Sequence, residues 1–215
     1  MTSPDVGAAV HTLVLPLGST EQHGAHLPLD TDTRIAVAVA QAAAARMAAV
    51  VVAPAISIGA SGEHQGFAGT LSIGTDVLAS AIVEIVRTAG SEFSRVVVVN
   101  GHGGNVSAVA RAAALCADEG RPIGVWHARL AGADAHAGAA ETSVMLAIAS
   151  SAVRMDLARA GSTAAMAEII DDLRSGGVKA VAANGVLGDP TTATAEHGHE
   201  IFEQWVAEVC ALLQP

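Results

Sequence analysis

Histidines and carboxylates crowd into four short stretches of this chain. Residues 18–33 hold Glu21, His23, His26, Asp30 and Asp32, residues 59–70 hold Glu63 and His64, residues 100–105 centre on His102, and residues 134–143 hold His136 and Glu141. Imidazole nitrogens and carboxylate oxygens are the donors that divalent zinc, iron or manganese accepts. Glu21, His23 and Asp32 are spaced Glu-x-His-x8-Asp, and His102 stands in a glycine-rich turn that lets backbone approach closely. Any one of these histidines by itself is more often hydrogen-bonded to a loop carbonyl. Converging from four stretches, they predict a metal-assisted site.

The elements that must position them are legible as a rhythm. Short β-branched runs at 12–17, 50–53, 95–99 and 123–126 alternate with Ala-rich helical text at 34–49, 76–89, 106–118 and 141–149. That alternation predicts βαβ units and a parallel sheet. The valines at 50–52 and 96–99 are apolar at every position, as in strands covered on both faces. The expected fold class is therefore α/β, a three-layer α/β/α domain with a mainly parallel central sheet, spanning residues 1–215 as a single unit. Ligands in such sheets bind outside the carboxyl ends of the strands. The four stretches leave those ends, which brings His23, His26, His64, His102, His127 and His136 to one rim. Asp76 after Thr75 suits the positive end of a helix dipole, and Asn105 is expected to N-cap the helix from Val106. Beyond Ala149 the pattern weakens through Gly161, Gly176, Gly177, Gly185 and Gly188, before a last amphipathic helix expected over 194–213.

Composition removes several function classes. With 11 Lys and Arg against 21 Asp and Glu, the net charge of −10 leaves no basic surface for nucleic acid or an anionic membrane. An apolar share of 51% excludes disorder, and with 2% aromatics the core must be built from small side chains packed closely. Residues 1–10 lack the basic start and apolar core of a signal peptide, and Gln41, Arg46 and Pro54 interrupt the apolar text at 35–56, so no bilayer span is expected. Cys116 and Cys210 lie far apart in helical text and read as packing thiols, which fits a reducing, cytoplasmic setting. The glycine run at 101–106 ends in Val106, so it is no dinucleotide fingerprint, and neither a P-loop nor a GxSxG elbow occurs. His199-Glu200 lacks the second histidine of HExxH, and the His197/His199 run reads as a solvated helix start.

Five blocks, LPLGSTEQHGAHLPLDTDT at 15–33, GEHQGFAGT at 62–70, VNGHGGN at 99–105, HAGAAETS at 136–143 and GVLGDPTTATAEHG at 185–198, together resemble the creatininase family. Within it, GASGEHQGFAGTLSIGT at 59–75 and GVLGDPTTATA at 185–195 are most similar to the peptidase branch of the mycofactocin system. The resemblance implies a ring-like homo-oligomer, a hexamer or octamer, of α/β/α subunits. It implies two divalent ions per subunit, zinc and/or iron with manganese also suitable, that polarise an amide and acidify a water. Glu21 and His102 would bind one ion, His23 the other, and Asp32 both. Creatinine-hydrolysing members carry a glutamate where this chain has Gly104, and Glu141 is assigned to that missing ligand. His136 is expected to deliver a proton to the leaving nitrogen, with Glu141 sharing the acid-base work. His64, Glu63, Trp126 and Asn105 are expected to contact substrate, although Trp126 suits the core equally and Asn105 suits holding the His102 loop. The implied substrate is the modified mycofactocin precursor peptide, cut to release its Val-Tyr-derived C-terminal product. A small-amide hydrolase acting on creatinine or a formyl amide is the alternative, weakened by Gly104. A non-catalytic metal-binding scaffold is the third reading, against which His136 and the ligand set speak.

Overall fold

The computed structural model describes residues 11–214, so the leader reading of residues 1–10 falls outside the described residues. Four parallel strands, β1 (His11–Leu17), β2 (Val50–Val52), β3 (Phe93–Asn100) and β4 (Gly124–His127), form one sheet in the order β2-β1-β3-β4. Both faces are apolar because alternate residues serve opposite sides. Leu13, Leu15, Leu17, Val96 and Val98 pack against α2 (Thr75–Ala89) and α3 (Val106–Asp118). Val14, Val97 and Val99 pack against α1 (Thr31–Ala45), α4 (Ala139–Ala149) and α6 (Ala195–Leu213). The expected three-layer α/β/α fold with a parallel sheet is the one observed. Among the described residues no helix is long and apolar enough to cross a membrane.

The strand order positions the site. The chain steps from β1 outward to β2, then returns past β1 to β3, so successive connections run in opposite directions on either side of β1. A crevice opens at the carboxyl ends where the order reverses, between β1 and β3. Leu17 pairs with Asn100, so both strands end level, and the loops carrying Glu21 and His102 leave from the same point.

Three local expectations are corrected. Helix α1 begins at Thr31 and ends at Ala45, several residues before the predicted stop, and Ala49 turns the chain into β2 with φ 57°. Asn105 does not cap α3: its side chain is drawn into tertiary hydrogen bonds. Helix α5 (Met166–Val181) occupies the segment where the pattern weakens. It buries only Ile169 and Val178 and is interrupted at Gly177, φ 69°, so it offers no continuous apolar stripe to read. With Ala182 and Leu187 it forms a small separate apolar cluster packed by Phe67 and Leu173.

Candidate metal centre

Glu21 and His23 lie on the loop leaving β1, Asp32 in the first turn of α1, and His102 just past β3; all four are buried. Asp32 turns one carboxylate oxygen to each imidazole: Oδ1 lies 3.0 Å from His23 Nε2 and Oδ2 lies 3.1 Å from His102 Nδ1. Ser19 Oγ donates to Oδ2 at 2.6 Å and holds that orientation. His102 Nε2 lies 3.2 Å from Glu21 Oε2, while His64 Nε2 lies 3.2 Å from Glu21 Oε1. Neither Glu21 oxygen receives a well-directed hydrogen bond, although the side chain is wholly buried. A dry carboxylate without directed donors is costly unless a cation faces it.

The electrostatics point the same way. Burial works to raise the Glu21 carboxyl, but His102 and His64 hold it down at about 2. Burial likewise opposes ionisation of Asp32, and His23 and His102 overcome it, keeping that carboxyl well below its usual range. Burial would strip His23 of its proton, yet Asp32 beside it raises the imidazole to about 10. His102 is raised in the same manner by Glu21 and Asp32 against the cost of burial. Protons on two imidazoles thus supply the positive charge that the two carboxylates demand. A divalent ion supplies more of it, and the nitrogen and oxygen donor set suits one.

A second layer frames this group. Gln22, which nothing in the sequence reading singled out, donates through its carboxamide to Gly185 O at 2.9 Å and to His64 Nδ1 at 3.0 Å. That leaves His64 Nε2 as the protonated nitrogen toward Glu21. His136 Nε2 donates to the Gln22 carbonyl at 2.8 Å, which turns its Nδ1 toward Glu21 Oε1 at 3.7 Å. Burial, with His23 and His64 nearby, holds His136 well below the usual imidazole range, so it stays neutral. Glu141, in the first turn of α4, accepts from Ala137 N at 2.6 Å and sits 3.9 Å from His23 Nε2. Burial raises its carboxyl to about 7 even against the pull of His23. Ala137 holds a left-handed φ of 52°, strain stored between His136 and Glu141.

The fold therefore brings Glu21, His23, Asp32, His102, His64, His136, Glu141 and Glu63 together, and leaves other expected residues out. Trp126 packs edge-to-face on Trp205 with centroids 5.7 Å apart, and its Nε1 donates to Glu208 at 2.8 Å. It is a core residue on the α6 side of the sheet and not a pocket wall. Asn105 is wholly buried, accepting from Ala60 N at 2.8 Å and donating to Gly18 O at 2.9 Å, so it clamps loops and cannot reach substrate. His26 pairs with Thr142 and His127 with Asn100, both outside the cluster. His197 and His199 are exposed on α6, as expected of a solvated helix start. Ser19 and Gln22 were missed; their one sequence signal is polarity inside a loop dense with ligand types.

His64, His102, His136 and Glu141 line a cleft of about 1090 Å³. Its far wall is α5, through Met166, Ile170, Leu173 and Arg174, with Arg129 also lining it.

Residues 1–213 match the family model described as Creatininase, creatinine amidohydrolase. Over 210 residues the chain is 52% identical to the mycofactocin precursor peptide peptidase of Mycolicibacterium smegmatis, covering 95% of this chain and 85% of that protein. The protein of the same name from Mycobacterium tuberculosis is 50% identical over 214 residues, with the same coverage. The chain belongs to the creatininase family. Solved creatininase structures share its fold: the crystal structure of creatinine amidohydrolase aligns over 100% of this chain and 96% of that one, with a TM-score of 0.82 at 24% identity. A structure called Creatininase Mn aligns over 100% of this chain and 97% of that one, with a TM-score of 0.81 at 24% identity. As a creatininase-family protein the chain is a metal-dependent amidohydrolase or peptidase, and its buried donor cluster holds groups that could bind a metal ion.

Proposed function

We propose that this protein is a dinuclear metallopeptidase that cleaves the modified mycofactocin precursor peptide and releases its Val-Tyr-derived C-terminal product. The observation that carries the reading is a largely buried carboxylate-imidazole cluster, four of whose members, His64, His102, His136 and Glu141, line a cleft of about 1090 Å³. That volume is at or above the roughly 300–1,000 Å³ of sites for single small ligands and suits a peptide end. The names of the relatives, at 50–52% identity, supply the peptide.

Glu21 and His102 would hold one ion, His23 and Glu141 the other, and Asp32 would serve both. When bound, such ions polarise an amide carbonyl and bring a water near neutrality as a nucleophile. The chain's own groups then handle protons. Glu141, 3.9 Å from His23 Nε2, would share the acid-base work from beside the second ion. His136, neutral and tethered at Nε2, has its Nδ1 free to carry a proton to the leaving nitrogen. Burial of the cluster excludes bulk water from these transfers. Zinc, iron and manganese all suit the donors. We further read residues 1–215 as a single domain that assembles as a homo-oligomer in the cytoplasm.

Mass spectrometry of the metal-loaded protein with the enzymatically modified precursor peptide tests this. The expected result is a two-residue C-terminal fragment that disappears when chelator is added. An uncut peptide would overturn the peptidase reading and turn attention to cyclic and formyl amides.

A further inference from the structure

Gly104 lies beside His102 Nε2, and the Glu63 carboxylate occupies the space that a side chain there would need. A Cβ at 104 would lie 2.2 Å from Glu63 Oε1, 2.4 Å from His102 Nε2 and 2.5 Å from the Ala60 carbonyl. The Glu63 carboxylate thus stands where a side chain at 104 would begin. Its Oε1 is 3.3 Å from His102 Nε2, the same nitrogen that Glu21 Oε2 approaches to 3.2 Å.

Two carboxylates converging on one imidazole nitrogen cannot both be satisfied by its single proton, and their mutual repulsion calls for a further positive charge. The Glu21 oxygens beside it are buried without a directed donor. Glu21, Glu63 and His102 each offer a ligand atom within 4.8 Å of the others. Glu141 belongs to a different set, with His23 and His136, on the other side of Asp32. Glu63 is also held from behind: a Cβ at Gly177 would come within 2.6 Å of the Glu63 carbonyl, so the break in α5 lets that helix press on the Gly62–His64 turn. One glycine makes room for the carboxylate and another for the backbone that carries it.

We infer that Glu63 is a ligand to the ion held by Glu21 and His102, and that glycine at 104 is required to admit it. The inference rests on the two-ion reading above and assigns Glu63 to the metal in place of the substrate contact expected from sequence.

The test measures metal content and affinity of the full-length protein, by elemental analysis after dialysis against graded chelator and by the visible absorption of the Co²⁺-loaded form. Wild type, Glu63→Ala, Glu63→Gln, Gly104→Ala and Glu21→Ala are compared, with circular dichroism and thermal melting confirming the fold. Wild type should retain two ions. Glu63→Ala should keep one and hold the other weaker by at least the roughly 10–100-fold that loss of a group behind a ligand costs, with a changed Co²⁺ spectrum. Gly104→Ala, whose added Cβ would crowd both Glu63 and His102, should reproduce that loss although Glu63 is intact. Glu63→Gln, which keeps shape and hydrogen bonding but not charge, should fall on the side of Glu63→Ala. Two ions bound with wild-type affinity and spectrum in Glu63→Ala would overturn the inference and leave the two-ion reading standing. No ion in wild type, or an unchanged pair in Glu21→Ala, would remove the metal reading itself and this inference with it. Unaltered binding in Gly104→Ala would overturn the requirement for glycine. Should that variant not fold, partly exposed Glu63 still decides the ligand.

Discussion

Beneath the cleft, whose lining only His102 of the four reaches, the floor residues Glu21, His23, Asp32 and His102 hang from the ends of β1 and β3 and the first turn of α1; Ser19 holds the Asp32 carboxylate, and Asn100 and Asn105 tie the backbone around them. In its wall, α5 rests on a cluster of four buried apolar residues, breaks at Gly177, and turns most of its length to solvent. Floor residues sit at the end of the sheet, both of whose faces are covered by buried apolar side chains. Segments with few buried contacts are those that open and adapt at low free-energy cost. The contrast divides the work. On the proposed function, the donor groups at the strand ends and in the first turns of α1 and α4 would keep their geometry through bond cleavage, and the helix that walls the cleft would fit the substrate.

The division fails if floor and wall variants behave alike, and the floor should show the largest effects. Asp32→Ala should lose both ions and all peptide cleavage, read by elemental analysis and mass spectrometry; a variant that kept two ions would deny Asp32 its bridging place. His136→Ala should keep both ions while turnover falls by about 10²–10⁴-fold, the usual worth of a general acid-base group. Undiminished turnover would make it a bystander.

The pH response comes next in size. In the metal-free protein the imidazole of His23 is raised from 6.5 to about 10, so its contribution to stability is complete below 6.5 and is lost as pH climbs through 10. The Glu141 carboxyl, raised from 4.5 to about 7, adds a loss in the same direction between those values. Glu21, lowered from 4.5 to about 2, acts the other way, and only in acid. The Tm of the metal-free protein should therefore fall between pH 6.5 and 10, while metal affinity rises because His23 must release its proton. Calorimetry in buffers of different ionisation heat reads that proton, and a binding enthalpy independent of buffer would take it away from His23. The smallest effect belongs to the wall: Leu173→Ala should raise KM for the peptide several-fold, roughly the worth of a trimmed apolar contact, with kcat unchanged. A fall in kcat would show that the wall also positions the reacting bond.

Much of the floor was legible in the residues themselves. Glu21, His23, Asp32 and His102 stand out by type as candidate ligands, and the alternation of valine runs with Ala-rich helices places them near strand ends. Trp126 illustrates what such reading leaves open. An indole at a strand end faces either crevice or core, and the packing of Trp205 on α6, 79 residues later in the chain (205 − 126), puts it in the core. Asn105 carries every mark of a helix cap, yet the loops around Gly18 and Ala60 outbid α3 for its side chain.

Local order in this protein follows from local chemistry. Residue periodicity and β-branching decide which segments are strands and helices, because the covering of both sheet faces requires apolar runs of that kind. The pairing of donors at the centre does not follow in this way. Which carboxylate faces which imidazole depends on side chains from residues 19 to 141 meeting at the point where the strand order reverses. Whether Glu63 or a residue at 104 fills the space beside His102 turns on a separation of about an ångström set by α5, Ala60 and the end of β3. Only the packed tertiary structure decides distances of that size, because each is the sum of many contacts contributed by elements remote in the chain.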